Sequence, residues 1–238
     1  MKRKKWIYIV LIIILVVPIL FFYNAFNGNP IWKMASESAL KNYLKETYPN
    51  QEFNIDEGFY NFKFSEYSFK VNKIGVEDQK KYEINVRGFF KPTVAFDEIY
   101  MDNLDEPLME KLGNEAAAEL QTVFNDVNNI VTINVRIEVL KGTYDSSINW
   151  SKDLKIEKPI YIDILMDAGN MPREQLLEEM KKMQSHLNTE GYTYDYVNIN
   201  ANLFDGKYGK DDQGYVKYAS SFTKDKKLSL KDIEEYNQ

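Results

Sequence analysis

The chain has 238 residues, and its 30 Lys and Arg against 36 Asp and Glu give a formal net charge of −6 at pH 7. Positions 2–5 hold four of the basic residues, so the remainder carries 26 basic against 36 acidic residues, a net charge of −10. This acidic balance argues against a nucleic-acid partner, because phosphate binding depends on clustered Lys and Arg. The chain contains no cysteine, which excludes disulfides, thiol nucleophiles, cysteine metal sites and acylated lipoprotein anchors.

The N-terminus combines the basic cluster at positions 2–5 with an uncharged, mostly apolar run over residues 6–26. About 20 apolar residues in a helix cross a hydrocarbon core of roughly 30 Å, and flanking Lys and Arg favour the cytoplasmic side. We therefore predict that residues 1–28 form a cytoplasmic basic tip and a transmembrane signal anchor. The protein would be a single-pass protein of the cell membrane, with extracellular C-terminal domains and the lipid bilayer as the partner of residues 6–26.

A cleaved secretory signal is the alternative interpretation of this segment. Cleaved signals usually hold about 7 to 15 apolar residues and end at a small-x-small site. This run is longer and ends in Phe21, Phe22, Tyr23 and Asn24. Pro18 is compatible with a membrane helix, because neighbouring groups can satisfy the freed carbonyl. The uncleaved anchor is preferred, and the sequence leaves cleavage open.

Residues 29–92 predict a first domain, a helix followed by a three-stranded meander. Asn29 can cap the helix and Pro30 can occupy its first position. Apolar residues recur at helical spacing from Met34 until Pro49. Three stretches of alternating apolar residues follow, at 53–64, 67–73 and 82–90.

Residues 93–223 predict a second domain, and residues 224–238 a charged tail with a short helix from Ser229. The second domain opens with acidic residues interpreted as a solvated segment and as favourable charges at a helix N-terminus: Asp97, Glu98, Asp102, Asp105 and Glu106. Its predicted elements are a helix from Pro107, strands at 131–139 and 160–166, a helix from Pro172 to Gly191, and strands at 192–204 and 214–222.

The predicted strands alternate between apolar and polar residues instead of being continuously apolar. Such alternation is typical of antiparallel sheets with one solvated face. We therefore predict an α+β fold, in which an N-terminal transmembrane helix precedes two small domains. Each domain would pack its helices on one face of an antiparallel sheet.

The titratable side chains form no recognisable catalytic motif. His186 is the only histidine and lies beside the apolar stripe of the Pro172 helix, so a packing role is favoured over a general base. The turn at 205–214 holds three acids and three glycines, but it lacks the alternating Asp/Asn pattern and the terminal Glu of a calcium loop, which favours a solvated hairpin turn. We predict no catalytic residue, no metal site and no cofactor.

Aromatic residues are in excess, with 17 Tyr and 14 Phe. Tyrosines that share one face of the last two predicted strands could form a flat patch that binds peptide or glycan. Cross-strand aromatic pairs that only stabilise the sheet are the simpler alternative. The possible interaction face consists of Tyr192, Tyr194, Tyr196, Tyr215 and Tyr218.

Several short motifs together resemble a known family. They are the basic tip with one membrane helix, then Gly28-Asn29-Pro30-Ile31, the helix ending in Tyr43-Leu44 and Tyr48-Pro49, and the strand residues Tyr60-Asn61-Phe62-Lys63. In these features the chain resembles the YfjL-like proteins of Bacillus and related Firmicutes, best over about residues 1–72. The resemblance implies a membrane-anchored, functionally uncharacterised envelope protein with two domains, the first similar in element order to PepSY modules. It implies no catalytic residues.

Three function classes stay open. The preferred hypothesis is a membrane-tethered, extracytoplasmic, non-catalytic module that senses or binds an envelope protein or peptide through a sheet face or edge. The alternative is a carboxylate-based hydrolase or a metal-dependent enzyme, which would require two acids that converge in a pocket. A structural envelope component is the third.

Overall fold

The computed structural model of the protein describes residues 2–76, 80–204 and 214–236, with side chains from Lys5 onward. The chain divides into two compact units, Met1–Asp102 and Asn103–Gln238, whereas the sequence predicts a boundary at residues 92/93. Apart from Gly214, the predicted hairpin turn at 205–214 lies outside the described residues. Each unit is described by itself.

Two helices open the first unit, α1 (Lys2–Asn27) and α2 (Pro30–Thr47). α1 is long and apolar enough to cross a membrane, a property that it shares with signal sequences. Gly28 separates the helices, and the Asn29 side chain caps α2 by accepting a hydrogen bond from the Ile31 amide at 2.8 Å. The predicted start of α2 is therefore confirmed.

The first unit contains an antiparallel sheet of five strands among the described residues. In chain order they are β1 (Phe53–Ile55), β2 (Phe59–Asn61), β3 (Glu66–Lys73), β4 (Lys81–Arg87) and β5 (Thr93–Asp97), followed by the short helix α3 (Glu98–Asp102). β1 and β2 both pair with β3, while β4 and β5 extend the sheet on its other side. α2 covers one face, where Leu40 and Leu44 belong to the core that includes Phe69.

This sheet corrects the predicted three-stranded meander in two places. The stretch 53–64 is split into two strands, because Asp56, Glu57 and Gly58 leave the ladder between them. Thr93–Asp97 was predicted to open the second domain but pairs with β4, so it belongs to the first sheet. Its three consecutive apolar residues, Val94, Ala95 and Phe96, do not alternate with polar ones, and the acidic residues that follow favour a solvated segment.

The second unit contains a five-stranded sheet, as far as the structure describes it, in the order β10-β9-β8-β7-β6. Its larger elements in chain order are α4 (Glu106–Val123), β6 (Ile130–Arg136), β7 (Ile160–Asp167), α5 (Arg173–Glu190), β8 (Tyr194–Leu203) and β9 (Tyr215–Phe222). A 3-10 turn, Leu230–Asp232, precedes the last strand, β10 (Ile233–Glu235). α4 and α5 share one core with the inward face of the sheet.

The second sheet is mixed, which corrects the prediction of a wholly antiparallel one. β7 and β8 run parallel, joined by α5, and the other pairs are antiparallel. Alternation of apolar residues shows which face of a strand is buried but not the direction of its neighbour. The order strand, helix, strand from β7 to β8 is typical of a parallel crossover, because such a connection needs a dozen or more residues.

The predicted charged tail is also corrected. Ile233 is buried in the core of the second unit and pairs with Ser220 of β9, and the Tyr236 amide donates to the Lys217 carbonyl at 2.9 Å. The segment therefore supplies the edge strand β10 in addition to the turn that starts at Ser229. Ile233 is the only buried residue of this strand, and a single apolar residue shows no alternation from which a strand could be predicted.

Candidate functional site

The five predicted face tyrosines do not share an exposed face. Tyr192, Tyr194 and Tyr218 are buried in the core of the second unit, whereas Tyr196 is half-buried and Tyr215 is exposed. Burial raises the pKa of Tyr194 to about 12, and its hydroxyl donates to Asn188 Oδ1 at 3.1 Å. The predicted tyrosine patch is therefore wrong, and three of its members stabilise the fold.

Irregular strand pairing explains why tyrosines at every second position do not share one face of the sheet. The pairing of β7 with β8 shifts by one residue, so Ile160 faces Tyr194 while Tyr161 faces Tyr196. This bulge reverses the alternation, and Tyr194 points inward while Tyr196 points outward. A second shift between Ala201 and Asn202 has the same effect on the partner strand β9.

The acids of the described residues do not converge on a catalytic centre. The buried ones are Glu66, Asp97 and Glu179, and each is held by local partners. Arg87 pairs with Glu66 at 2.9 Å, and Lys182 pairs with Glu179 at 3.1 Å. No group of three His, Asp or Glu that could hold a metal ion exists among the described residues.

His186 takes part in a surface pair, not in a catalytic arrangement. Its Nε2 lies 2.7 Å from Asp126 Oδ1, and its ring lies beside the buried ring of Phe124. The half-exposed imidazole and the exposed carboxylate connect α5 to the end of α4. This contact agrees with the predicted packing role at the edge of the apolar stripe.

Asp97, from the acidic segment, is a structural residue of the first unit. Its Oδ2 accepts hydrogen bonds from the Tyr43 and Tyr48 hydroxyls at 2.8 and 2.6 Å, and its Oδ1 accepts from the Ile99 amide at 2.8 Å. Burial and the neighbouring carboxylate raise the pKa of both tyrosines above the usual range. The predicted solvated role is wrong for Asp97 but not for Asp105, which caps α4.

A pocket of the second unit has a volume of about 500 Å³. It is lined by the loop before β7 and by the end of α5, with Trp150, Ile156 and Tyr192 among its residues. Its two acids, Asp153 and Glu157, are both exposed. Both carboxylates therefore keep their water shell.

The outward face of the second sheet is the most distinctive polar surface in the described part of the chain. α4 and α5 pack on the opposite face, and the outward side chains form cross-strand rows on β6, β7 and β8. We call this surface the polar outer face and define it by Thr132, Asn134, Arg136, Tyr161, Asp163, Tyr196, Asn198 and Asn200. All eight are exposed or half-buried.

Asp163 is the centre of a small hydrogen-bonded network on the polar outer face. Asn134, Asp163 and Asn198 stand side by side on three strands. Asp163 Oδ1 accepts from Asn198 Nδ2 at 3.2 Å, and Asp163 Oδ2 accepts from Arg136 Nη2 at 3.3 Å. The carboxylate thus neutralises the guanidinium and fixes the orientation of the amide of Asn198.

A shallow depression and an aromatic pair flank this network. The depression has a volume of about 310 Å³ and is lined by Thr132, Asn134, Asn198 and Asn200, among other residues. The rings of Tyr161 and Tyr196 pack 5.2 Å apart, and the Arg136 guanidinium lies 5.8 Å from the Tyr161 ring. Amides, one carboxylate and flat rings together can form several hydrogen bonds to a ligand and cover its apolar parts.

Sequence reasoning missed this face, although a signal for it exists. Asn198, Asn200 and Asn202 recur at every second position of β8, which places amides on one side of a strand. The polar residues of β6 also recur at every second position, and this pattern alone predicts only that one side of the strand is solvated. The polar residues of β6 and β8 come together only because both strands pair with β7. Periodicity within a strand does not predict which strands are neighbours.

The comparisons with known proteins identify relatives without a known activity. The chain is 28% identical over 235 residues to the uncharacterised protein YfjL of Bacillus subtilis strain 168, with 98% of each chain covered. A DUF5037 family protein from Ruminococcus gnavus aligns over 78% of this chain and 89% of its own at 11% identity, but the TM-score is only 0.23, so this alignment carries no argument.

Family models cover both units. The model for the N-terminal domain of YfjL-like proteins matches residues 3–98, and the model for the YfjL-like C-terminal domain matches residues 115–234. Together with the relative from B. subtilis, these matches confirm the family that the motifs at residues 28–63 predicted. The chain therefore belongs to the YfjL-like family.

Proposed function

We propose that the chain is a membrane-tethered, extracytoplasmic, non-catalytic protein that binds a peptide or a segment of an envelope protein through its polar outer face. α1 is the tether, and the basic residues at positions 2–5 keep its start in the cytoplasm. The observation that carries the proposal is the polar outer face, an open sheet surface with several convergent hydrogen-bonding side chains.

The chemistry of the polar outer face favours a peptide. Each Asn side chain offers two donor hydrogens and one acceptor oxygen, which is the pattern that matches a peptide backbone. Because Asp163 already pairs with Arg136, the network presents little net charge to a ligand. Tyr161 and Tyr196 supply contact area at low entropic cost, as tyrosine does in other recognition surfaces.

The tether can be tested with single cysteines, since the chain has none of its own. The exposed Ser146 is changed to Cys in one variant and Lys2 in another, and both are expressed in B. subtilis. A membrane-impermeant maleimide should label position 146 in intact protoplasts and position 2 only after lysis. Labelling of position 2 in intact protoplasts would contradict the proposed orientation. Extraction of the protein from the membrane by carbonate would contradict the tether itself.

The binding face can be tested by photo-crosslinking in cells. A photoreactive phenylalanine analogue is placed at Asn134 or Asn200, and a matched control places it at Glu178, an exposed position on α5. We expect one discrete adduct shared by positions 134 and 200, absent from position 178, and weakened by Asp163→Ala, which frees Arg136 and Asn198. Equal adducts from all three positions, or none from the face, would refute the assignment.

A further inference from the structure

One end of the first sheet carries a cluster of exposed aromatic side chains. Glu66 pairs with Asn61 on one side and with Arg87 on the other, and Arg87 pairs with Thr93. The turns β2–β3, at residues 62–65, and β4–β5, at residues 88–92, therefore lie at the same end of the sheet. We call their exposed rings the aromatic collar, which consists of Phe62, Phe64, Phe89 and Phe90.

The collar exposes more apolar surface than a water-facing turn needs. The exposed fractions of Phe62, Phe64, Phe89 and Phe90 are 54%, 59%, 48% and 100%. Each turn also carries an exposed lysine, Lys63 or Lys91. Single exposed apolar residues are ordinary, but four exposed phenylalanines in two turns at the same end of one sheet are typical of an interaction site.

The same end of the sheet receives the end of α1. The ring of Phe26, in the last turn of α1, packs 5.5 Å from the ring of Phe62. Trp32, in the first turns of α2, packs against Phe89 of the other turn. The collar therefore surrounds the point at which the chain leaves α1.

The junction between α1 and the sheet is tightly packed, so it is not a loose tether. The Tyr67 hydroxyl accepts from the Asn29 amide at 2.6 Å and donates to the Asn29 carbonyl at 2.7 Å. Gly28 has a φ of +74°, and a Cβ there would lie 2.7 Å from Cγ of Tyr60. Because this backbone is held against the sheet, the depth of α1 in a membrane fixes the height of the collar.

The length of α1 sets that depth. Residues 6–26 span about 31 Å as a helix, close to the roughly 30 Å of a hydrocarbon core. With the basic tip at one boundary, Phe26 lies at the other, and the collar lies beside it at the level of the headgroups. Interfacial protein segments bury Phe, Trp and Leu side chains at the boundary between headgroups and acyl chains, while the ammonium groups of their lysines reach the water.

We propose that the aromatic collar is a lipid-binding surface that inserts into the interface of the outer leaflet and seats the first unit on the membrane. The proposal rests on the membrane tether proposed above. Its occupant is the bilayer itself, because the collar is continuous with α1 through the contact between Phe26 and Phe62. Lys63 and Lys91 strengthen the binding where the headgroups are anionic.

The experiment uses the full chain in vesicles of phosphatidylcholine and phosphatidylglycerol, with single cysteines that carry an environment-sensitive fluorophore. Two probes stand in the collar, at Phe64→Cys and Phe90→Cys. The matched control is Ile74→Cys, an exposed apolar residue in the turn between β3 and β4, at the opposite end of the same sheet. A fourth probe, Leu15→Cys, reports on the tether near the middle of the apolar run.

We expect the collar probes to show blue-shifted emission, quenching by nitroxide lipids labelled near the headgroup, and loss of quenching by iodide. The probe at position 74 should stay accessible to iodide, and the probe at position 15 should respond only to nitroxides deep in the bilayer. If the probe at position 15 lies in the bilayer but the collar probes are as accessible to iodide as the probe at position 74, the lipid-binding role of the collar is refuted and the tether is not. A probe at position 15 that is exposed to water would refute both the tether and the lipid-binding collar. Equal insertion of positions 64, 74 and 90 would show that the sheet does not bind the membrane through the collar end.

Discussion

At the scale of single residues, Asp97 is the most connected buried carboxylate in the described first unit. It ends β5, and its two oxygens accept hydrogen bonds from Tyr43 of α2, from Tyr48 at the C-terminal cap of α2, and from two amides in the first turn of α3. One side chain therefore joins a strand and two helices. Removal of such a side chain leaves several buried donors without an acceptor, which costs more than the loss of the contact itself.

We expect Asp97→Ala to lower the free energy of unfolding of the first unit by about 3 kcal/mol, because the Tyr43 and Tyr48 hydroxyls lose their acceptor. The measurement is urea unfolding of the full chain in micelles, followed by Trp32 fluorescence with Trp6 and Trp150 changed to Phe. Asp56→Ala is the control, since its exposed ion pair with Lys81 is worth less than about 1 kcal/mol. A loss no larger than that of the control would contradict this role.

We expect the stability of the second unit to fall at alkaline pH because of Tyr194. Its pKa is about 12 in the folded unit, raised by burial, against about 10 in the unfolded chain. The neutral phenol is favoured by the fold, so its contribution is complete below pH ~10 and is lost as the pH rises towards ~12. In an absorbance titration of tyrosinate, Tyr194→Phe should remove one group that titrates near pH 12, and removal of a group near pH 10 would show the assignment to be wrong.

At the scale of elements, the contact between α4 and β6 depends on a glycine. Gly113 is buried in the middle of α4, and a Cβ at this position would overlap the carbonyl oxygen of Val135. Glycine weakens a helix interior by roughly 1 kcal/mol relative to alanine. Its presence is explained by the close approach of the helix backbone to the strand.

Gly113→Ala should therefore destabilise the second unit by about 1–3 kcal/mol, although alanine is the better helix former, because the helix must move away from the sheet. Unfolding followed by Trp150 fluorescence measures the change. Asn114→Ala is the matched control, an exposed neighbour at which the same propensity should give a small gain. Stabilisation of both variants would mean that α4 and β6 do not approach so closely.

Element types were more predictable than their pairing. The cap at Asn29 and Pro30 and the alternation that starts at Val131 are local signals; the cap is confirmed, and the strand is confirmed over Ile130–Arg136 but does not extend to Val139. The parallel pairing of β7 with β8, the addition of β5 to the first sheet and the edge strand β10 depend on distant partners. The candidate site was missed for the same reason, since Asn134, Asp163 and Asn198 meet only once the strand order is known.

At the scale of the whole molecule, charge is distributed unevenly along the chain. Four basic residues stand before the apolar run, and the chain after it carries a net charge of −10, from 26 basic and 36 acidic residues. The first basic residue after the run, Lys33, is already paired with Glu57 at 2.7 Å. In the proposed topology, the charge bias that orients α1 comes from the four basic residues at positions 2–5.

Replacement of Lys2, Arg3, Lys4 and Lys5 by Gln should turn a single orientation into a mixture, because basic residues in short flanking segments set the topology and acidic residues contribute little. The measurement is maleimide labelling of Ser146→Cys in intact protoplasts, where the labelled fraction should fall well below that of the chain with its basic tip. Replacement of Lys41 and Lys45 by Gln is the control, since the proposed topology places these residues on the outer side and their loss should leave labelling complete. Full labelling without the basic tip would mean that the folded units, and not the charge cluster, determine the orientation.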